Sequence, residues 1–217
     1  MADQTRREIL EAARRLFAER GYVGTSVSDI ADEAGVAVQT IYSRLESKRG
    51  MLMGLIDLID EQAGVGDLVA AVLSATTPAD ALRAQVRLTR TFQERCGDII
   101  GALFAAAGAE PDLAGAVTEG QRRHREGARL AVEHITTLGG LLDGVSTERA
   151  TALIAVSTTH EAWRELTNAH GLTWEDAEDW LTEALGRALL QQARVVSNPD
   201  SLHSTREPAH TKRRSTN

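Results

Sequence analysis

Residues 25–48 read TSVSDIADEAGVAVQTIYSRLESK, and the fold turns on this stretch. Val27, Ile30, Ala31 and Ala34 recur at spacings of three, one and three, which places them on one face of a short helix. Thr25, Ser26 and Ser28 stand where a side chain caps the first open N–H groups. Gly35 ends the helix, because glycine enters the left-handed conformation without a steric cost. A second helix begins near Ala37, with Ile41 and Leu45 on its buried side. Two short helices that cross where Ala31 and Ala34 are small, joined by a glycine turn, form a helix-turn-helix pattern.

The outer face of the second helix is short and polar. Ala37 and Val38 open it, and Gln39, Thr40, Ser43 and Arg44 follow with Tyr42 beside them. Glutamine makes paired hydrogen bonds to adenine, and threonine contacts a base edge or the thymine methyl. Lys48 follows Ser47 at the start of a further helix, where an ammonium and open N–H groups suit a phosphate. Thr25, Ser26 and Tyr42 are the other candidate phosphate contacts. The same spacing also fits a tight helical hairpin that only packs, so the hairpin alone leaves both readings open.

The flanking residues separate them. The run from Ile9 to Leu52 resembles the TetR family of bacterial transcriptional repressors. The resemblance is carried in order by Ala13, Leu16 and Phe17, Gly21-Tyr22, Thr25-Ser26-Val27, Asp29-Ile30-Ala31, Ala34-Gly35-Val36, Thr40-Ile41-Tyr42 and Ser47-Lys48. It implies an all-α fold of about nine or ten helices. The resemblance further implies a three-helix helix-turn-helix DNA-binding domain over 1–46, followed by a helical ligand-binding and dimerisation domain over 47–196. Two positions depart from the family: Leu45 replaces the usual Phe, and Arg44 the usual His, Tyr or Asn. Leucine keeps the packing role, whereas Arg44 adds a cation near DNA, so base specificity does not transfer.

Composition narrows the class. The 217 residues are 42% hydrophobic with only four prolines, which suits a mainly helical chain with a sizeable core. No apolar run has the length of a membrane span and MADQTRREIL has no apolar signal region, so a cytoplasmic protein without membrane contact is expected. Net charge is −7, yet residues 1–50 hold eight Arg/Lys and eight Asp/Glu. A neutral head on an acidic body suits local phosphate contacts with the body held off the DNA. In the first helix, expected over 4–20, Arg6, Arg7, Arg14 and Arg15 form a solvated face from which one or two reach phosphates.

Beyond the head, a fourth helix capped by Ser47 carries Met51, Leu52, Leu55, Ile56 and Ile59 and closes at Gly64 and Gly66. That apolar arc is too wide for a surface helix, which wedges it between head and body as a lever. Helices are expected over 67–75, 79–95, 97–108 and 111–138, with Pro78 and Pro111 at helix starts. In the last of these, Leu113, Val117, Gln121, His124, Ala128, Ala131, Ile135 and Leu138 form a stripe that takes Gln121 and His124 inward. Buried polar groups need partners, in the protein or in a ligand. Leu88, Phe92, Leu103 and Phe104, with Ile99, are candidate apolar walls of a small-molecule pocket, and His160 and Trp163 face either that pocket or an interface.

Two final helices are expected over 148–169 and 174–195. One carries Leu153, Val156, His160 and Trp163, the other Trp174, Ala177, Leu181, Ala184, Leu185, Ala188 and Val195. The family resemblance implies that they pair with the same two helices of a second subunit. Residues 197–217 lack an apolar period, which predicts a disordered tail, and Lys212-Arg213-Arg214 there adds at most weak DNA attraction.

Catalytic and metal signatures are missing: there is no phosphate-cradling glycine loop, no His-Glu-x-x-His and no Gly-x-Ser-x-Gly. No enzyme activity, cofactor or metal is expected. The single cysteine, Cys96 beside Arg95, is either structural or redox-sensing. The reading is a homodimeric transcriptional repressor that binds a palindromic double-stranded operator and is released by an unknown small-molecule effector. Two alternatives remain, a small-molecule-binding or enzymatic helical domain and a regulator sensing oxidation through Cys96.

Overall fold

Ser26 starts the helix on which the fold turns. In the computed structural model its hydroxyl accepts from Asp29 N at 3.1 Å, while the Asp29 carboxylate accepts from Ser26 N at 2.8 Å. This reciprocal capping box satisfies two orphan donors and contributes about 1 kcal/mol. The structure describes residues 2–108 and 111–191, with side chains for all of these except 2, 3, 56–63, 111 and 112. The expected tail over 197–217 and Val195 lie outside the described residues, as do the Ile56 and Ile59 side chains.

The head consists of α1 (Ala2–Arg20), α2 (Val27–Ala34) and α3 (Val38–Leu45). Gly35 ends α2 at φ 65° and ψ 33°, and Val36 N donates to Ala31 O at 3.0 Å. Only a left-handed residue turns the chain this sharply, and glycine does so without Cβ strain. Ile30, Ala31, Ile41 and Leu45 are buried with Ile9, Ala13, Leu16 and Phe17 of α1, and the Phe17 and Tyr22 rings tilt together at 5.2 Å.

Ser47 caps α4 (Lys48–Ala63) by accepting from Gly50 N at 2.9 Å, and Gly64 closes it in the left-handed region. Met51, Leu52 and Leu55 are buried in the same apolar cluster as the head and as Cys96, Ile99 and Leu103 of the body. The core therefore runs through residue 46 without a break, and α4 is the shared wall, packed against both α1 and the body.

The body is helical throughout: α5 (Val65–Ser74), α6 (Pro78–Ala107), α7 (Pro111–Thr137), α8 (Thr147–Ser157), α9 (His160–Arg164) and α10 (Trp174–Leu189). Gly66 lies inside α5 rather than ending α4. The two helices expected over 79–95 and 97–108 are one helix of 30 residues, because buried Cys96 continues the apolar face through Gly97 to Ile99 and Leu103. Conversely, the helix expected over 148–169 breaks at two threonines. Thr158 Oγ1 donates back to Ile154 O at 2.8 Å, and Thr159 Oγ1 accepts from Ala162 N at 3.1 Å to cap α9. A π-helical turn, Glu165–Ala169, follows α9.

A second cluster fills the far end of the body, joining Leu82 and Val86 of α6, Val132 and Ile135 of α7, Ile154 of α8, Trp163 of α9 and Leu181 and Leu185 of α10. α7 runs from the first cluster, at Leu113, to the second, at Ala128. Gln121 falls in the gap between them and is exposed, which corrects the expectation of a buried glutamine. The polar flank of α7 is solvated, with Arg122 and Arg123 on Glu119 and Arg129 on Glu126 and Glu133.

Candidate nucleic-acid interface and ligand cavity

The outer edge of α3 presents Ala37, Val38, Gln39, Tyr42, Ser43 and Arg44 exposed, with Thr40 half-buried. Ala37 supplies no side-chain cap, so the first N–H groups of α3 open on the same edge as Gln39. The Ser43 hydroxyl donates back to Thr40 O at 2.9 Å. Lys48 opens α4 next to this edge, and its ammonium sits over the Tyr22 ring, 4.2 Å from the centroid. That contact holds the lysine ammonium at the head surface beside α3.

Two candidate phosphate contacts are otherwise engaged. The Thr25 side chain is buried, and its hydroxyl donates to Leu16 O at 3.1 Å and Gly21 O at 2.9 Å. Thr25 thus ties the end of α1 to the start of α2, which corrects its assignment as a side-chain DNA contact. Ser26 is exposed, but its hydroxyl belongs to the capping box. Hydrogen bonds from Ser26 hold the Asp29 carboxyl below its ordinary pKa.

Arg14 faces the body instead of solvent. Its Nε and Nη2 reach Asp98 Oδ2 and Oδ1 of α6 at 2.6 and 2.8 Å, and Nη2 also donates to Arg95 O. The Asp98 hydrogen bond holds the guanidinium pKa above its ordinary value. This fork fixes α1 of the head on α6 of the body.

Beside it lies a cavity of about 590 Å³ between α1, α6, α9 and the turn leading to α10. Phe17, Ala18 and Gly21 supply its head side, and Gln93, Gly97 and Gly101 the α6 side. His160, Trp163 and Trp174 line the far wall. The candidate pocket residues divide accordingly. His160 and Trp163 line this cavity, and Phe104 stacks on the His160 ring at 5.8 Å.

The others lie elsewhere. Leu103 and Phe92 belong to the first apolar cluster, and Leu88 lines a separate cleft of about 20 Å³ between α5, α6 and α7. His124 bonds through Nε2 to Ala155 O at 2.9 Å, so its polar group is satisfied within the protein, and Gln121 is exposed. Sequence reasoning missed the α6 wall. Its signal was the four-residue spacing of Gln93, Gly97 and Gly101, which leaves one helix face almost free of side chains.

Among the described residues no helix is long and apolar enough to cross a membrane, and no His/Cys/Asp/Glu group has the makings of a metal site. Cys96 is fully buried in the first cluster.

Comparison with known proteins shows what this arrangement is similar to. Residues 9–54 match the profile of bacterial regulatory proteins of the tetR family. Over 60 residues the chain is 40% identical to the HTH-type transcriptional regulator TtgR of Pseudomonas putida, covering 28% of this chain and 29% of that one. Over 79 residues it is 37% identical to the HTH-type transcriptional repressor KstR2 of Rhodococcus jostii, covering 36% and 39%. These alignments span well under two thirds of either relative's length. The whole fold resembles the transcriptional regulator FadR of Bacillus subtilis in complex with stearoyl-CoA, with a TM-score of 0.66 at 20% identity over 82% of this chain and 96% of that one. Residues 9–54 thus carry the N-terminal domain of tetR-family bacterial regulatory proteins, and the all-α fold as a whole is similar to that of solved TetR-family regulators.

Proposed function

We propose that the chain is a homodimeric transcriptional repressor that binds a palindromic operator and is released from it by a small molecule. The observation that carries the reading is the outer edge of α3, where Gln39, Thr40, Tyr42 and Arg44 stand together on a helix locked to α1 and α2 by a buried core. Gln39, Thr40 and Arg44 read base edges in the major groove. Lys48, Tyr42 and the opening N–H groups of α3, at Ala37 and Val38, hold phosphates. Ser43, its hydroxyl turned to Thr40 O, contributes contact more than direct readout.

Dimerisation is supported by the outward faces of α8 and α10. Val156 is 63% exposed and Trp180 is 55% exposed, and Ala152, Ala184 and Ala188 continue the same two faces. Large and small apolar residues on adjacent helices interdigitate across a twofold axis into a four-helix interface. Two heads so joined meet half-sites about 34–36 Å apart, one turn of DNA. The head ends near residue 46, and residues 47–191 form the dimerisation and ligand-binding body in a cytoplasmic protein.

Ligand release is supported by the cavity, which touches α1 of the head and α6 and α9 of the body. A ligand that binds one head–body arrangement better than another shifts the population by its differential affinity. FadR of Bacillus subtilis, similar in fold, is seen with stearoyl-CoA. An oxidation sensor at Cys96 is disfavoured because the thiol is fully buried.

The deciding experiment selects bound duplexes from a random DNA library and titrates the enriched duplex at two salt concentrations. Recovery of a palindrome with steep salt dependence is the expected result. A folded, dimeric protein that enriches no sequence refutes the DNA-binding reading.

A further inference from the structure

The cavity wall contains two buried polar atoms that have no hydrogen-bond partner among the described residues, His160 Nε2 and Trp163 Nε1. They sit three residues apart on α9, His160 at 8% and Trp163 at 0% exposure, and both residues line the cavity. His160 Nδ1 lies 2.8 Å from Gln93 Oε1. An amide oxygen only accepts, so the ring proton is on Nδ1 and Nε2 carries a lone pair. Burial holds the imidazole below its ordinary pKa, in the neutral form. The indole N–H of Trp163 only donates. The cavity thus offers one acceptor and one donor on a single helix face, beside the apolar rings of Phe17 and Trp174. Of the charged residues that also line it, Arg14 pairs with Asp98, Glu94 pairs with Arg90, and Arg164 is exposed to solvent.

That pairing selects among ligand groups. A carboxylate has no hydrogen for Nε2, and an ammonium has no lone pair for the indole. A hydroxyl has both. We infer that the cavity binds an uncharged alcohol or phenol, its O–H donated to His160 Nε2, its oxygen accepting from Trp163 Nε1–H, and its apolar body lying against Phe17 and Trp174. The inference rests on the reading of the chain as ligand-responsive and names the chemistry of that ligand. A volume of about 590 Å³ falls within the ordinary span of small-molecule sites. Because the walls include Phe17 and Gly21 of the head, the bound molecule touches the head and the body together.

Gly101 supplies the control. A Cβ there meets His160 Nε2 at 3.5 Å, an ordinary van der Waals contact, so Gly101→Ala covers the acceptor without displacing backbone. Alanine also favours a helix over glycine, so the variant folds. The test follows the His160 and Trp163 ring nitrogens by NMR in the DNA-free protein during titration with 4-phenylphenol, 4-methoxybiphenyl and biphenyl-4-carboxylate.

The expected result is an unprotonated Nε2 in the free protein. The phenol then binds about ten-fold more tightly than the other two probes, shifts both nitrogens, and loses its preference in Gly101→Ala. A protonated Nε2, equal affinity for phenol and ether, or no binding of the phenol overturns the inference, and none of these bears on DNA recognition. A parallel titration of the protein–operator complex reads release. If the phenol binds as described and the operator stays bound, the release mechanism is wrong and the hydroxyl site stands.

Discussion

The Arg14–Asp98 fork offers the sharpest test of how head and body are joined. Both side chains are about two-thirds covered, at 28% and 33% exposure, and two donors engage the two carboxylate oxygens. An open surface pair contributes about 0.2–1 kcal/mol, whereas charge-assisted bonds with ordered, bidentate geometry reach about 1.5–3 kcal/mol. Partial solvent screening places this pair between those limits, at about 1–1.5 kcal/mol of coupling. Arg14→Ala also strips a donor from Arg95 O, so the single variant loses about 2 kcal/mol. In a chain of this size that lowers Tm by about 4–8 °C.

A double-mutant cycle on Arg14→Ala, Asp98→Ala and the pair, by urea denaturation at low and high salt, isolates the term. The coupling shrinks at high salt, since the pair is part-exposed. Coupling below about 0.3 kcal/mol, within the error of additivity, refutes the argument that the fork fixes the head. With the head loosened, Arg14→Ala also accepts an operator with one inserted central base pair more readily than the parent does.

Four further outcomes are expected. Lys48→Ala weakens all DNA sequences alike and lowers the salt slope by about one per head, whereas Thr40→Ala narrows the gap between operator and random DNA; anisotropy titrations at several salt concentrations separate the two. Thr25→Val leaves the Leu16 and Gly21 carbonyls without their hydroxyl donor and costs about 1–2 kcal/mol in a thermal melt, with the salt slope unchanged. Trp180→Arg puts a cation on the outward face of α10 and yields a monomer by analytical ultracentrifugation, with operator affinity down about 100-fold.

The fourth concerns pH. Burial holds His160 below its ordinary 6.5, so the unfolded chain binds more protons as pH drops through that value. Stability therefore falls as pH drops below about 6.5, and His160→Gln removes that part of the slope in denaturation curves compared pH by pH. Identical slopes in parent and variant refute the buried, neutral histidine.

Local signals in the sequence determined the head. Ser26, Asp29, Gly35 and Ser47 act within three or four residues of themselves, through caps and a left-handed turn, so their neighbours suffice to place them. The spacing of Ile30, Ala31, Ile41 and Leu45 likewise announced the buried side of α2 and α3. What the tertiary structure decided depends on residues distant in the chain. Thr25 reads as an exposed cap until the end of α1 arrives to accept its hydroxyl.

Gln121 reads as buried because periodicity carries no information about where one core stops and the next begins. Two helices are expected over 79–95 and 97–108, yet they form one, because buried residues on both sides of Gly97 hold α6 together. The cavity was the least legible feature. It is made by α6 meeting α1 and α9, and its two open polar atoms acquire meaning only once Gln93, 67 residues away, fixes the proton on His160.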